Sequence, residues 1–186
     1  MEGFPDHPRR PGEAALESGL SGRHFRPGKK GGSAVGLTRR GKGTKLMVVT
    51  DGAGIPLATL VASAQQAEVH LARPTLMRVR VPRGRGRPRT RPCSLVADKG
   101  YDSQAFRLEL RGRGIHPCIP RRRGHRPRPG PKPNLAGYRQ RWIVERTFAW
   151  LGNFRRLVVR WERSAHVYLA FVLIACLIIS LRAISG

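Results

Sequence analysis

The chain has 186 residues, with 36 Lys plus Arg against 11 Asp plus Glu and a formal net charge of +25. Such an excess of cations points to a polyanionic partner, nucleic acid first, because each neutralised phosphate releases counterions. Three cysteines rule out a disulfide scaffold, and the length suits one domain with a modest core.

Residues 1 to about 28 are rich in Pro, Gly and charge and show no periodicity, so no regular structure is expected there, and no secretory signal is visible. A strand is predicted over 45–51. Asp51-Gly-Ala-Gly then signals a hairpin into a second strand over 55–62. Ser63 to Leu71 reads as a loop entering a helix over 67–77, with Glu68 at its start. Arg78 to Arg91 is a basic stretch broken by Gly and Pro, carrying Arg83, Arg85, Arg87 and Arg89. It cannot form a core and reads as a loop that tracks a phosphate backbone, positioning DNA without reading its bases.

Ser94 to Ala97 reads as a short buried strand that ends at Asp98, with Gly100 permitting a sharp turn. Ser103 is the expected N-cap of a helix over 103–113, followed by a strand over 115–119. An Asp at the carboxyl end of a strand, on the loop rim of an open α/β sheet, is a common place for chemistry. The plainer reading of Asp98 is a turn or capping residue. A second basic stretch follows at about 121–135, with Arg121, Arg122 and Arg123 at its start.

Tyr138 to Arg163 holds one carboxylate, Glu145, amid arginines and aromatics on a predicted helix over 138–152. At about 100° per residue, Tyr138, Arg141, Glu145, Gly152 and Arg156 fall near one line. Ile143, Trp150, Phe154, Leu157 and Trp161 lie mostly on another face. An acid flanked by cations beside a packing stripe suits phosphate handling; the alternative is a solvated, salt-bridged helix. The apolar run Val167 to Leu181 falls short of a membrane span and is expected as a helix over 166–183 buried against the sheet. Cys93, Cys118 and Cys176 show no paired metal spacing and are expected as buried free thiols of a reducing cytoplasm.

Taken together, Ala97-Asp-Lys-Gly-Tyr-Asp102 and Tyr138-x-x-Arg-x-x-x-Glu-Arg-Thr-Phe-Ala-Trp-Leu-Gly-Asn-Phe-Arg-Arg-Leu157 resemble the catalytic half of DDE transposases of bacterial insertion sequences, in the IS-five-like branch. Lys29-Lys-Gly-Gly32 and the stretch Gly41 to Leu57 fit the same pattern, and the resemblance runs from about residue 20 to the end. It implies an α/β fold of RNase H-like type, a mixed sheet flanked by helices, over 29–186. It also implies a divalent cation, Mg²⁺ or Mn²⁺, held by Asp98 and Glu145 and used for DNA strand cleavage and transfer. In this reading Arg141 orients Glu145 or clamps a phosphate, Tyr138 contacts DNA near the cut, and Arg156 offers a further positive charge. Lys29, Lys30 and the arginines of the two basic stretches, Arg121, Arg122 and Arg123 among them, would bind double-stranded DNA. A homo-oligomer at the bacterial nucleoid, without membrane attachment, is the expected state.

The chain departs from the pattern at the first acid of the triad. Aligning Leu20 to Gly32 with the family context places Ser21 where an Asp is expected, and Gly152 stands in place of a family lysine. Asp51 reads as a turn residue, the alternative being a substitute for the missing acid. Asp102 is expected to cap the helix after the Asp98 turn, and Glu68 to be structural or to support the site. A truncated or decayed, catalytically inactive DNA-binding remnant is therefore the runner-up, and a basic RNA-binding protein explains the charge but not the ordered acids.

Overall fold

The computed structural model describes residues 18–122 and 135–185. Residues 1–17 lie outside it, as do 123–134 with Arg123 and His125. Six strands form one mixed sheet: β1 (Ser18–Pro27), β2 (Gly36–Thr38), β3 (Gly41–Thr50), β4 (Pro56–Ser63), β5 (Ser94–Ala97) and β6 (His116–Cys118). β1 lies between β3, to which it runs antiparallel, and β5, to which it runs parallel; β6 extends the parallel side. β4 and the short β2 both pair antiparallel with β3.

Helices cover both faces of this sheet, so β3 and β5 carry continuous apolar runs rather than alternating ones. Leu46, Met47, Val48 and Val49 of β3 are wholly buried. On the first face, Met47, Val49, Leu95 and Ala97 pack with α1 (Glu68–Leu76) and α2 (Gln104–Gly112). Facing the other way, Leu46, Val48 and Val96 pack with α3 (Trp142–Gly152), the single turn α4 (Arg155–Val158) and α5 (Ala165–Ser185). Ser103 caps α2 as expected, its Oγ accepting from the Phe106 N–H at 3.5 Å.

Three expectations are corrected. The irregular segment expected through residue 28 gives way to β1 over Ser18–Pro27. Local composition argued against a strand there, but β3 pairs with Leu20–Pro27 and β5 with Ser18–Ser21, and ladder bonding outweighs weak local propensity. The predicted helix over 138–152 is a 3-10 segment, Ala136–Arg141, leading into α3. α5 is buried along only one stripe, Tyr168, Val172, Ala175, Cys176 and Ile179. At 21 residues it is long and apolar enough, by length and composition alone, to cross a membrane.

One long-range connection owes nothing to apolar packing. Arg160, 1% exposed, donates from Nη1 to Thr44 Oγ1 at 2.6 Å, from Nη2 to Ser33 O at 2.7 Å and Arg163 O at 2.9 Å, and from Nε to Glu162 O at 2.9 Å. It ties the chain between α4 and α5 to the loop after β1.

Candidate active site

Asp98 stands where β5 ends, in extended backbone with φ −65° and ψ 160°. Its carbonyl accepts the Tyr101 N–H at 2.9 Å, closing a 3-10 turn, and the buried Tyr101 anchors that turn in the first core. Leu95 and Ala97 face the first core and Val96 the second. The two-residue period of a strand therefore carries Asp98 to the second face, that of α3. The carboxylate is half-buried and makes no hydrogen bond or ion pair among the described residues.

The 3-10 segment ahead of α3 lies on the same face. The segment crosses closely above β5 and β6 at Gly137, where even a Cβ would stand in ordinary contact with Val96 Cγ2 at 3.5 Å and Cys118 Sγ at 3.8 Å. Burial pushes the Cys118 thiol up, partly offset by a hydrogen bond from the Gly137 backbone. Glu145 follows in the first turn of α3, exposed, with Arg141 Nη1 2.6 Å from its Oε1. The structure thus brings Arg141 to Glu145, and brings Asp98 and the approach to α3 onto one face; no bond links the two acids. Tyr138 is half-buried and packs against the second core, between these two features in the chain's path over the sheet.

Asp51 takes the turn role. Its Oδ1 accepts the N–H groups of Ala53 and Ile55, each at 2.9 Å, and the residue is 6% exposed. The hairpin tip so formed docks on α3, where Arg146 Nη2 donates to Ala53 O at 2.6 Å and Thr147 Oγ1 to Gly54 O at 2.7 Å. Gly54 has φ +86°, and a Cβ there would press on Arg146, Thr147 and Ile143 at 3.1–3.3 Å. Arg146 is itself held between Trp142 and Trp150, at 4.8 and 4.7 Å from their ring centres. Sequence reading missed Arg146, Thr147 and Gly54 as the fixings of the Glu145 helix. The hairpin signal was legible; its partner was not.

Other candidates fall elsewhere. Arg156 does not continue the line of Glu145, because Asn153 and Phe154 interrupt the helix. Its Nη2 instead meets Glu162 Oε1 at 2.6 Å, with the guanidinium over the Phe171 ring at 5.3 Å. Asp102 does not cap α2: its Oδ1 holds Arg107 Nε at 3.0 Å and Nη2 at 2.9 Å, and its Oδ2 accepts the Arg122 N–H at 2.9 Å. Arg122 also donates to Lys99 O at 3.1 Å and Gly100 O at 3.3 Å, which fastens the start of the second basic stretch to the Asp98 turn. Arg121 beside it is exposed. Glu68 is structural in its contacts, pairing with Lys45 at 2.7 Å on the first face. Arg83, Arg85 and Arg87 are exposed on a loop closed by paired hydrogen bonds between Val81 and Arg89, 2.9 Å each. Lys29 and Lys30 are exposed beyond the far end of β1, roughly 20 Å along the strand from Gly22. Cys93 is exposed, against expectation, because it precedes β5 rather than lying in it.

Ser21, expected at the place of the first acid, pairs with Val49 and Ala97, both residues of the first core. Gly22 pairs with Val48 of the second core and follows Ser21, the last residue paired with β5, as Asp98 follows Ala97. A one-residue step reverses the face. A site for two hard cations asks for a third carboxylate near these two. Among the described residues no group of three His, Cys, Asp or Glu side chains could hold a metal ion. β1 contains no acid, so the side chains of the described residues do not make up a full two-metal centre.

The mixed sheet covered by helices on both faces has a likeness among solved structures. The piggyBac transposase in a synaptic complex with hairpin DNA, solved by cryo-electron microscopy, superposes with a TM-score of 0.50 over 86% of this chain and 45% of that one, at 10% sequence identity. The chain belongs to the transposase DDE domain family, whose model matches residues 17–180. It is also 42% identical over 138 residues to a Burkholderia cepacia protein assigned as the transposase for insertion sequence element IS402. That match takes in 74% of this chain and 62% of the relative.

Proposed function

We propose that this chain is the DNA-handling catalytic fold of an insertion-sequence transposase, of RNase H-like type, acting at the bacterial nucleoid as a homo-oligomer. The observation that carries the reading is the strand-end Asp98 on the same sheet face as the helix of Glu145. Four strands, β1 to β4, joined antiparallel through β3, followed by β5 and β6 on the parallel side, with helices on both faces, support the RNase H-like class. Double-stranded DNA is the substrate, met by the cationic stretch that begins at Arg121 and Arg122 and by the arginines of the Arg83–Arg89 loop, arginine being a side chain whose fork suits two phosphate oxygens.

Family chemistry is metal-dependent strand cleavage and transfer, for which a Mg²⁺ or Mn²⁺ ion activates a nucleophile and neutralises charge. Asp98 and Glu145 are the ligands this chain offers, with Arg141 orienting Glu145. The lack of an acid in β1 favours a second reading, a chain that binds DNA with little turnover. Plasmid nicking in Mg²⁺ or Mn²⁺ separates the two. We expect weak nicking by the native chain, a rise of about tenfold or more for Gly22→Asp, and no rise for Ser21→Asp, since a slip of one residue places the acid on the other face. Adding Asp98→Asn to Gly22→Asp should abolish cleavage and leave salt-sensitive DNA binding intact. Full nicking by the native chain that survives Asp98→Asn and Glu145→Gln would refute the site.

A further inference from the structure

α5 carries two apolar faces, and only one is used by the fold. Away from the buried stripe, Val167, Ala170, Ile174, Leu177, Leu181 and Ile184 follow steps of three and four along the helix. All six are exposed, Ile174 at 55%, Leu177 at 58% and Ile184 at 80%. Such a 3-4 repeat is the seam of a two-helix coiled coil, with knobs from one helix seated in holes of the other. A helix that needed only one partner, the sheet, would place polar residues here.

We propose that this seam is the interface between two copies of this chain, related by a two-fold axis. The exposed seam, with Leu173 beside it, offers roughly 600 Å² of apolar surface per copy, at the upper limit for a monomer's largest patch. Two such surfaces together bury about 1,200 Å², the lower bound of a stable specific interface. Charge complements the geometry. Although the whole chain carries +25, Arg182 is the only Lys, Arg, Asp or Glu from residue 164 to the end, and it falls outside the 3-4 repeat. Two strongly basic molecules can therefore meet along this helix without opposing cations in the contact. The proposal rests on the homo-oligomeric part of the proposed function and names its surface, and a dimer indifferent to the seam variants would refute the seam while leaving that reading in place.

The test is sedimentation velocity of the full chain across micromolar concentrations, in about 0.5 M salt to screen charge repulsion. A concentration-dependent monomer–dimer step is expected. Ile174→Glu with Leu177→Glu should weaken it by about 100-fold or more with an unchanged circular dichroism spectrum, since neither side chain is in the core. Arg182→Glu, off the seam, should leave it in place. As a check that needs no disruptive variant, Leu177→Cys in a Cys93→Ser background should oxidise to a single covalent dimer. A monomer at every concentration, a dimer indifferent to the seam variants, or partition of the native chain into phosphatidylcholine vesicles without a dimer step would each overturn the proposal.

Discussion

Asp51 shows how an acid can fix a turn that then holds a helix. Its carboxylate accepts two backbone N–H groups of the β3–β4 tip, and that tip accepts hydrogen bonds from Arg146 and Thr147, the residues immediately after Glu145. Asp51→Ala leaves those donors unsatisfied in a buried place and should cost about 1–3 kcal/mol, read by urea denaturation. Gly54→Ala should cost a similar amount, since φ +86° strains an L side chain and the added methyl presses on α3. In both variants hydrogen exchange in the first turn of α3 should rise more than in α2. If α2 exchange rises equally, the hairpin is not a local clamp on the Glu145 helix. The strand end at Asp98 and the pairing of Arg141 with Glu145 were legible from local spacing. The correspondence of Gly22 with Asp98 was not, because the face of a strand residue depends on register with its neighbours.

At the scale of elements, the sequence periodicity around Glu145 ran correctly to Gly152 and no further. Asn153 and Phe154 end the helix, so Arg156 belongs to a different turn and a different partner. α5 has a further consequence in its buried stripe. Burial pushes the Cys176 thiol and the Tyr168 hydroxyl each up to about 12, from ordinary values of 9.0 and 10.0. Both groups are neutral when protonated, and the folded state holds the proton more tightly than the unfolded one. The stability they support is whole below pH 9 and is lost as pH climbs toward 12. Thermal melts should therefore fall over that window, and Cys176→Ala should flatten the fall between pH 9 and 10 while leaving the Tyr168 contribution above 10. A melt profile flat from pH 9 to 12 would contradict the buried placement of this stripe.

For the molecule as a whole, charge is distributed by loops hung from a sheet rather than by a single basic helix. The Arg83–Arg89 loop follows α1 on the first face, Lys29 and Lys30 lie past the far end of β1, and Arg122 is fastened beside Asp98. Binding to double-stranded DNA should weaken steeply with salt. Replacing Arg83, Arg85 and Arg87 with Ala should make the slope of log affinity against log salt shallower by about 3, with the same effect on unrelated DNA sequences. A slope unchanged in that variant would show that the loop does not meet phosphate.

Composition and local pattern by themselves determined the strongly cationic character, the hairpin at Asp51, the buried strand ending at Asp98, the Ser103 cap and the helix of Glu145. These are decided over a few residues, by turn chemistry, capping and apolar period. Tertiary structure alone decided that Ser18–Pro27 is a strand between β3 and β5, that Gly22 follows the last β1 residue paired with β5 as Asp98 follows Ala97, that the hairpin grips α3, and that α5 keeps one apolar face outside. Each depends on contacts between residues far apart in the chain, where ladder hydrogen bonds and burial outweigh local preference, and no window of neighbouring residues contains that information.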